Sequence, residues 1–185
     1  MADLTPTSPL GGYDQTTGGL RLRELTGLAL VSLAIPLDGE AKAAKAVKSA
    51  FRLDLPAPGM STASNTYRLI RTAPDQLLLA FDDDSPDPAP QIAKALKNTA
   101  YTTDQTGAWV TLELSGASVR TALERLCPLD LHPAAFRVDA AHRTVMEHLG
   151  VLIVRTGDNS FWLMSASSSA MSFLHAMECT IRYFS

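Results

Sequence analysis

Apolar and polar residues alternate along the chain in two distinct periods. Leu20–Leu25 alternates leucine with Arg and Glu, the period-2 pattern of a half-buried strand. Thr26-Gly27 marks a turn, and Leu28–Ile35 is an apolar run that reads as a strand covered on both faces, stopped by Pro36. Residues Glu40–Phe51 switch to helical spacing, with Ala43, Val47, Ala50 and Phe51 on one stripe and Lys42, Lys45 and Lys48 towards the other side. Asp38 is the expected N-cap of this helix, because its carboxylate can accept from the unpaired N–H groups of the first turn. Leu53-Asp54-Leu55-Pro56 then reads as an extended connector.

Two short strands are expected at Tyr67–Thr72 and Gln76–Phe81, joined by Ala73-Pro74-Asp75. Pro90 suits the first turn of a helix ending near Asn98, with Ile92, Ala95 and Leu96 on its apolar side. The plan then repeats. Tyr101–Asp104 is a strand, and Ala108–Leu114 another, with Val110, Leu112 and Leu114 inward. A helix over Ala117–Leu126 is stopped by Pro128. Strands are expected at about Arg143–Val154 and Ser160–Met164. A last helix carries Ala170, Phe173, Leu174 and Met177, and Ile181–Phe184 adds a terminal strand.

Leu53-Asp54-Leu55 and Leu129-Asp130-Leu131 lie 76 residues apart, and Pro74-Asp75 and Gly157-Asp158 lie 83 apart. These echoes predict an α+β protein with an internally duplicated β-hairpin–α–β-hairpin–α repeat. The first repeat covers about 20–98 and the second about 99–185. The two share one core, so 20–185 is expected to form one domain. Residues 1–19, rich in Pro and Gly, read as an extended N-terminal arm.

Composition narrows the function classes. Of the 185 residues 46% are apolar, enough for a real core, and the formal net charge of −3 offers no basic excess for nucleic acid. The start of the chain lacks the charged and apolar regions of a signal peptide, and its most apolar run, Leu28–Leu37, is far shorter than the ~20 residues of a membrane span. A soluble cytoplasmic protein is expected. Two cysteines, Cys127 and Cys179, do not make a disulfide framework.

Candidate chemistry gathers after the Ala117–Leu126 helix, at Cys127, Asp130 and His132. A Cys–His pair can act as nucleophile and base, and the three could ligate a metal. The pattern favours a structural role. Cys127 continues an apolar stripe, where a thiol packs as a small hydrophobe. Asp130 and His132 alternate with leucines and can satisfy the backbone of the connector. His142 and His148 would share one face of a single strand but stand about 20 Å apart at ~3.3 Å per residue. His175 is read as solitary in the last helix. The acidic run Asp82–Asp87 lacks calcium-loop spacing. Gly116 reads as a close turn rather than a phosphate cradle.

The stretch LELSGASVRTALERLCPLDLHPAAF, with HRTVMEHLGVLIVRTGDNSFWLM and SSSAMSFLHAM, resembles the γ subunit of heterotetrameric sarcosine oxidase. The matching features are the strand–Ser115-Gly116–helix unit, the Cys-Pro-Leu-Asp-Leu-His-Pro connector, the Arg143-Thr144…His148 segment, and Ser168, Ala170, Ser172 and Phe173. Pro74-Asp75-Gln76-Leu77-Leu78-Leu79 fits in the first half, where a tryptophan expected in that strand is missing.

The resemblance implies a fold like the folate-binding domain of the glycine-cleavage aminomethyltransferase. It implies membership of a complex that oxidises sarcosine to glycine with O₂, giving hydrogen peroxide and formaldehyde, or methylene-tetrahydrofolate. FAD, FMN, NAD, zinc and tetrahydrofolate would belong to other subunits, and this chain would hold no cofactor, metal or catalytic residue. Its partners would be the alpha subunit, as main contact, and the beta and delta subunits, with no nucleic acid and no membrane. Asp130, His132 and Pro133 are the candidate partner-contact or structural residues. Two alternatives stand beside this. One is a stand-alone folate-binding or aminomethyl-transfer-like module with Asp130 or Glu113 as the pterin carboxylate. The other is a complex acting on another N-methyl amino acid.

Overall fold

The computed structural model describes residues 7–83 and 85–184. Its elements are β1 (Asp14–Thr17), β2 (Leu20–Glu24), β3 (Leu28–Ala34), α1 (Glu40–Phe51), β4 (Ser61–Ala63), β5 (Tyr67–Ala73), β6 (Gln76–Asp82), α2 (Ala89–Ala95), β7 (Tyr101–Asp104), β8 (Trp109–Ser115), α3 (Val119–Leu123), β9 (Ala141–Met146), β10 (Leu149–Gly157), β11 (Ser160–Ala166) and α4 (Ala170–Ile181). The fold is mixed α+β, with two antiparallel sheets. The chain divides into two compact units, one made of 1–26, 108–136 and 144–185, the other of 27–107 and 137–143.

The second unit contains the five-stranded sheet, in the order β4-β5-β6-β3-β7. One face of it builds a core from Val31, Leu33, Leu69, Leu77 and Leu79, which α1 covers with Ala43, Val47 and Phe51 and α2 with Ala89 and Ile92. Burial of each large side chain here contributes about 1.5–3 kcal/mol. Phe51, Tyr67 and Phe81 form an aromatic run, with ring centroids 4.8 and 5.6 Å apart. Residues 137–143 belong here because Ser61 N–H donates to the Asp139 carbonyl at 2.7 Å and Arg68 pairs with the Asp139 carboxylate at 2.7 Å.

The helix over Glu40–Phe51 forms as its spacing predicts, but Asp38 does not cap it. Gly39 is the N-cap residue, and no side chain caps the helix. Pro36 to Gly39 form a turn closed by Gly39 N–H to the Pro36 carbonyl at 2.8 Å, with Asp38 left-handed at φ 59°. The turn uses up the aspartate one position too early. A Cβ at Gly39 would sit 2.8 Å from that same carbonyl, which explains the glycine.

The first unit contains β1, β2, β8, β11 and β10, neighbours in that order in the six-stranded sheet, and residues 144–146 of β9. Its buried positions include Leu20, Leu22, Val110, Leu112, Leu114, Phe161, Leu163 and, from α4, Phe173 and Met177. Part of the stretch read as an arm is paired structure. β1 pairs with β2, and Arg21 Nε reaches the Asp14 carboxylate at 2.9 Å. Upstream of β1, the buried Glu24 carboxylate accepts from Leu10 N–H at 3.1 Å and Gly12 N–H at 2.8 Å. Residues 1–6 lie outside the described residues.

Three other expectations are corrected. The single strand Arg143–Val154 is a hairpin, because Glu147 and His148 have φ of 45° and 68°, the left-handed pair of a two-residue turn. His142 and His148 therefore do not share one strand. Ile181–Phe184 is not a strand but the end of α4 and a single 3₁₀ turn. The helix before Pro128 is regular only over Val119–Leu123.

Candidate functional site

The connector Cys127–Phe136 leaves α3 with Cys127 N–H bonded to the Leu123 carbonyl at 2.8 Å. Cys127, Leu131 and Phe136 are buried, whereas Asp130, His132 and Pro133 are exposed, so the alternation seen in the sequence becomes an inside and an outside. Burial pushes the Cys127 thiol above its ordinary range, opposing formation of a thiolate nucleophile.

Asp130 accepts from His132 N–H at 2.9 Å, an Asx turn that rigidifies the extended segment. His132 Nδ1 accepts from Ala134 N–H at 3.3 Å, and Ala135 and Phe136 N–H bond to the His132 carbonyl at 2.9 and 2.8 Å. The three candidate residues thus split. Cys127 turns into the core, and Asp130 and His132 hold backbone. Among the described residues no group of three His, Cys, Asp or Glu side chains is placed to hold a metal.

Glu113, the other carboxylate considered for a pterin, stands on β8 opposite Arg23 of β2, whose Nε donates to it at 2.9 Å. Neither it nor the exposed Asp130 presents an unengaged carboxylate in a deep pocket.

Residues not singled out by pattern reading do much of the shaping. Arg155 is only 4% exposed; its Nη1 donates to the Phe136 carbonyl at 2.9 Å, its Nε to Gly157 at 3.1 Å and its Nη2 to Asp158 at 3.1 Å. A lone cation in the apolar run of β10 was the available signal. Tyr13 donates from its hydroxyl to Glu178 at 2.8 Å, beside a cleft of about 350 Å³ walled by Gln15, Leu22, Glu178 and Arg182. Burial and the neighbouring Glu178 raise the Tyr13 pKa to about 12. His175 is not solitary: Cys179, one turn on, brings Sγ to 3.6 Å from its Nε2. Gly116, at φ 139°, admits the Gly19 carbonyl and the Leu20 backbone where a side chain would stand, as a close turn requires.

Two antiparallel sheets with covering helices make a mixed α+β fold that other solved structures share. The structure superposes on the aminomethyltransferase T of the glycine cleavage system from Bartonella henselae with a TM-score of 0.63 and 14% identity, over 93% of this chain and 56% of that one. It superposes on a chain of heterotetrameric sarcosine oxidase from Corynebacterium sp. U-96 with a TM-score of 0.82 and 24% identity, over 97% of this chain and 96% of that one.

The profile of the family "Sarcosine oxidase, gamma subunit family" matches residues 38–179, and the chain belongs to that family. It is 27% identical to a sarcosine oxidase subunit gamma of Arthrobacter sp. over 149 residues, 80% of this chain and 73% of that one. It is 39% identical to a subunit gamma of Corynebacterium sp. (strain P-1) over 64 residues, which span 35% of this chain and 32% of that protein's length.

Proposed function

We propose that this chain is a non-catalytic gamma subunit of a heterotetrameric sarcosine oxidase-type complex, where it supports assembly of the large alpha subunit. The family match across residues 38–179 carries this reading. The complex would demethylate sarcosine oxidatively to glycine, giving hydrogen peroxide and formaldehyde or methylene-tetrahydrofolate, or would act on another N-methyl amino acid. FAD, FMN, NAD, zinc and tetrahydrofolate would reside in the other subunits, in the cytoplasm. The alpha subunit would be the main contact, with beta and delta completing the assembly.

Asp130, His132 and Pro133 would meet a partner. The Asx turn pre-organises them, and with Nδ1 occupied as an acceptor, exposed His132 offers Nε2–H as a donor. The buried, raised thiol of Cys127 supports the absence of catalysis in this chain.

The same reading takes the fold as a duplication over about 20–98 and 99–185. Its support is that β2-β8-β11-β10-β9 and β7-β3-β6-β5-β4 are the same sequence of strands, each repeat placing its opening strand in the sheet of the other.

Co-expression with the alpha, beta and delta subunits tests the proposal. This chain should co-purify in equal amount with the other three. Purification alone, beside a fully active oxidase built from the rest, would overturn it. The fold likeness to the aminomethyltransferase favours one second reading, a stand-alone folate-binding module; a tetrahydrofolate titration that gives no heat removes it.

A further inference from the structure

All five lysines of the chain, Lys42, Lys45, Lys48, Lys94 and Lys97, lie on α1, on α2 or just beyond α2. Both helices cover the same face of the five-stranded sheet, since their inward residues join one core with Val31, Leu33, Leu77 and Leu79. The lysines therefore stud the outside of one helix layer, and all five are exposed.

Ordinary exposed helices intersperse both signs of charge. This layer does not. Glu40, the one acidic residue of α1, is drawn to Arg71 at 2.9 Å, and α2 has no acidic residue at all. Lys48 is satisfied by Asp54 at 2.8 Å. Among the described residues, Lys42, Lys45, Lys94 and Lys97 make no ion pair. Around them are the exposed small side chains Ala41, Ser49 and Ala95, the last of which faces outward rather than joining Ile92 and Leu96 as its spacing suggests.

A second, independent feature stands beside this layer. Leu37, directly ahead of α1, is 95% exposed. It rides on the Pro36–Gly39 turn, fixed by the Pro36 ring, by the Gly39 hydrogen bond and by Asp38 in a left-handed conformation. A rigid turn that holds an apolar side chain in water is a pre-organised anchor, which loses little entropy on binding.

We infer that the helix layer of α1 and α2, with Leu37 at its edge, docks against an acidic surface of a partner subunit of the oxidase. This rests on the gamma-subunit reading and extends it from membership to a surface. Four lysines without an ion pair among the described residues, beside a fixed, exposed leucine, complement a surface that offers carboxylates next to an apolar recess, which is the surface of a folded protein.

The test compares full-length wild type, Lys42→Glu/Lys45→Glu, Lys94→Glu/Lys97→Glu and Leu37→Asp for binding to the remaining oxidase subunits at low and high salt. Exposed sites should leave the thermal midpoint of each isolated chain near that of wild type. Wild-type binding should weaken steeply with salt. Each double variant should bind at least about tenfold more weakly with a shallower salt slope, and Leu37→Asp at least about tenfold more weakly with the slope unchanged. Wild-type binding with no change in any variant overturns this surface while leaving the gamma-subunit reading intact. No wild-type binding overturns both. Loss of self-association, or of binding to anionic vesicles or RNA, with subunit assembly unchanged, also overturns it by assigning a different occupant.

Discussion

Arg155 Nη1 donates to the main-chain oxygen of Phe136 at 2.9 Å, tying the end of the Cys127–Phe136 connector to β10. The same guanidinium holds the Gly157 and Asp158 carbonyls of the β10–β11 turn. One buried cation thus fixes two loops. Asp158, the carboxylate paired with it among the described residues, is 3.5 Å away and 92% exposed, so carbonyl oxygens do most of the compensation.

Arg155→Met should destabilise the chain by about 2–4 kcal/mol, because it leaves the buried Phe136 carbonyl and the part-buried Gly157 and Asp158 carbonyls without this donor. Arg155→Lys should recover only part, since one ammonium nitrogen cannot span acceptors that the guanidinium reaches from three separate nitrogens. Urea unfolding measures both; a loss below about 1 kcal/mol for Arg155→Met contradicts the role.

Glu24→Ala should free the segment before β1. The carboxylate gathers Leu10 N–H and Gly12 N–H, and its loss should cost about 1–3 kcal/mol. Amide exchange at Leu10 and Gly12 should accelerate while exchange across β8 and β11 stays slow. Unchanged protection at those two amides would show that another contact holds the segment.

Gly116→Ala should be strongly destabilising, by about 2–4 kcal/mol, because the Cβ would meet the Gly19 carbonyl and come within 3.1 Å of the Leu20 backbone, at a φ of 139° that side chains avoid. Thermal unfolding would report it. Gly150→Ala, with no atom within 4 Å of the added Cβ, is the neutral comparison.

The raised pKa of Tyr13 has a defined sign. Its folded value of about 12 exceeds the ordinary 10.0, so the folded state keeps a proton that the unfolded chain gives up. The contribution is complete below about pH 10 and is lost as pH rises towards 12. Solvent on the open side of the site reduces its size. Tyr13→Phe should flatten the fall in stability between pH 10 and 12; an unaltered slope would assign it to other groups.

The sequence displayed local structure well where side-chain period decides it. The α1 stripe of Ala43, Val47 and Phe51 and the β8 alternation of Val110, Leu112 and Leu114 are buried as the pattern requires. It hid what depends on backbone φ or on distant partners. Glu147-His148 forms a tight turn without the Asn-Gly or Asp-Gly signal that would reveal one. β2 pairs with β8 rather than with β3, the next strand in the chain, and alternation says which face is buried, not which strand lies beside it. At the connector, Asp130 and His132 were readable as backbone satisfiers from their alternation with leucines. Arg155 was not, because its bond to Phe136 closes over 19 residues.

The central claim is that this chain is a stoichiometric, non-catalytic part of an oxidase. Reconstitution of the remaining subunits with and without it, followed by sarcosine turnover, bound flavin and the mass of the complex, puts that claim at risk. Addition of this chain should yield one heterotetramer with higher yield and thermal stability, and Asp130→Asn/His132→Ala in this chain should leave the turnover per assembled flavin unchanged. A fully active, equally stable oxidase that excludes this chain, or turnover per flavin that falls with the connector variant while assembly holds, would contradict it.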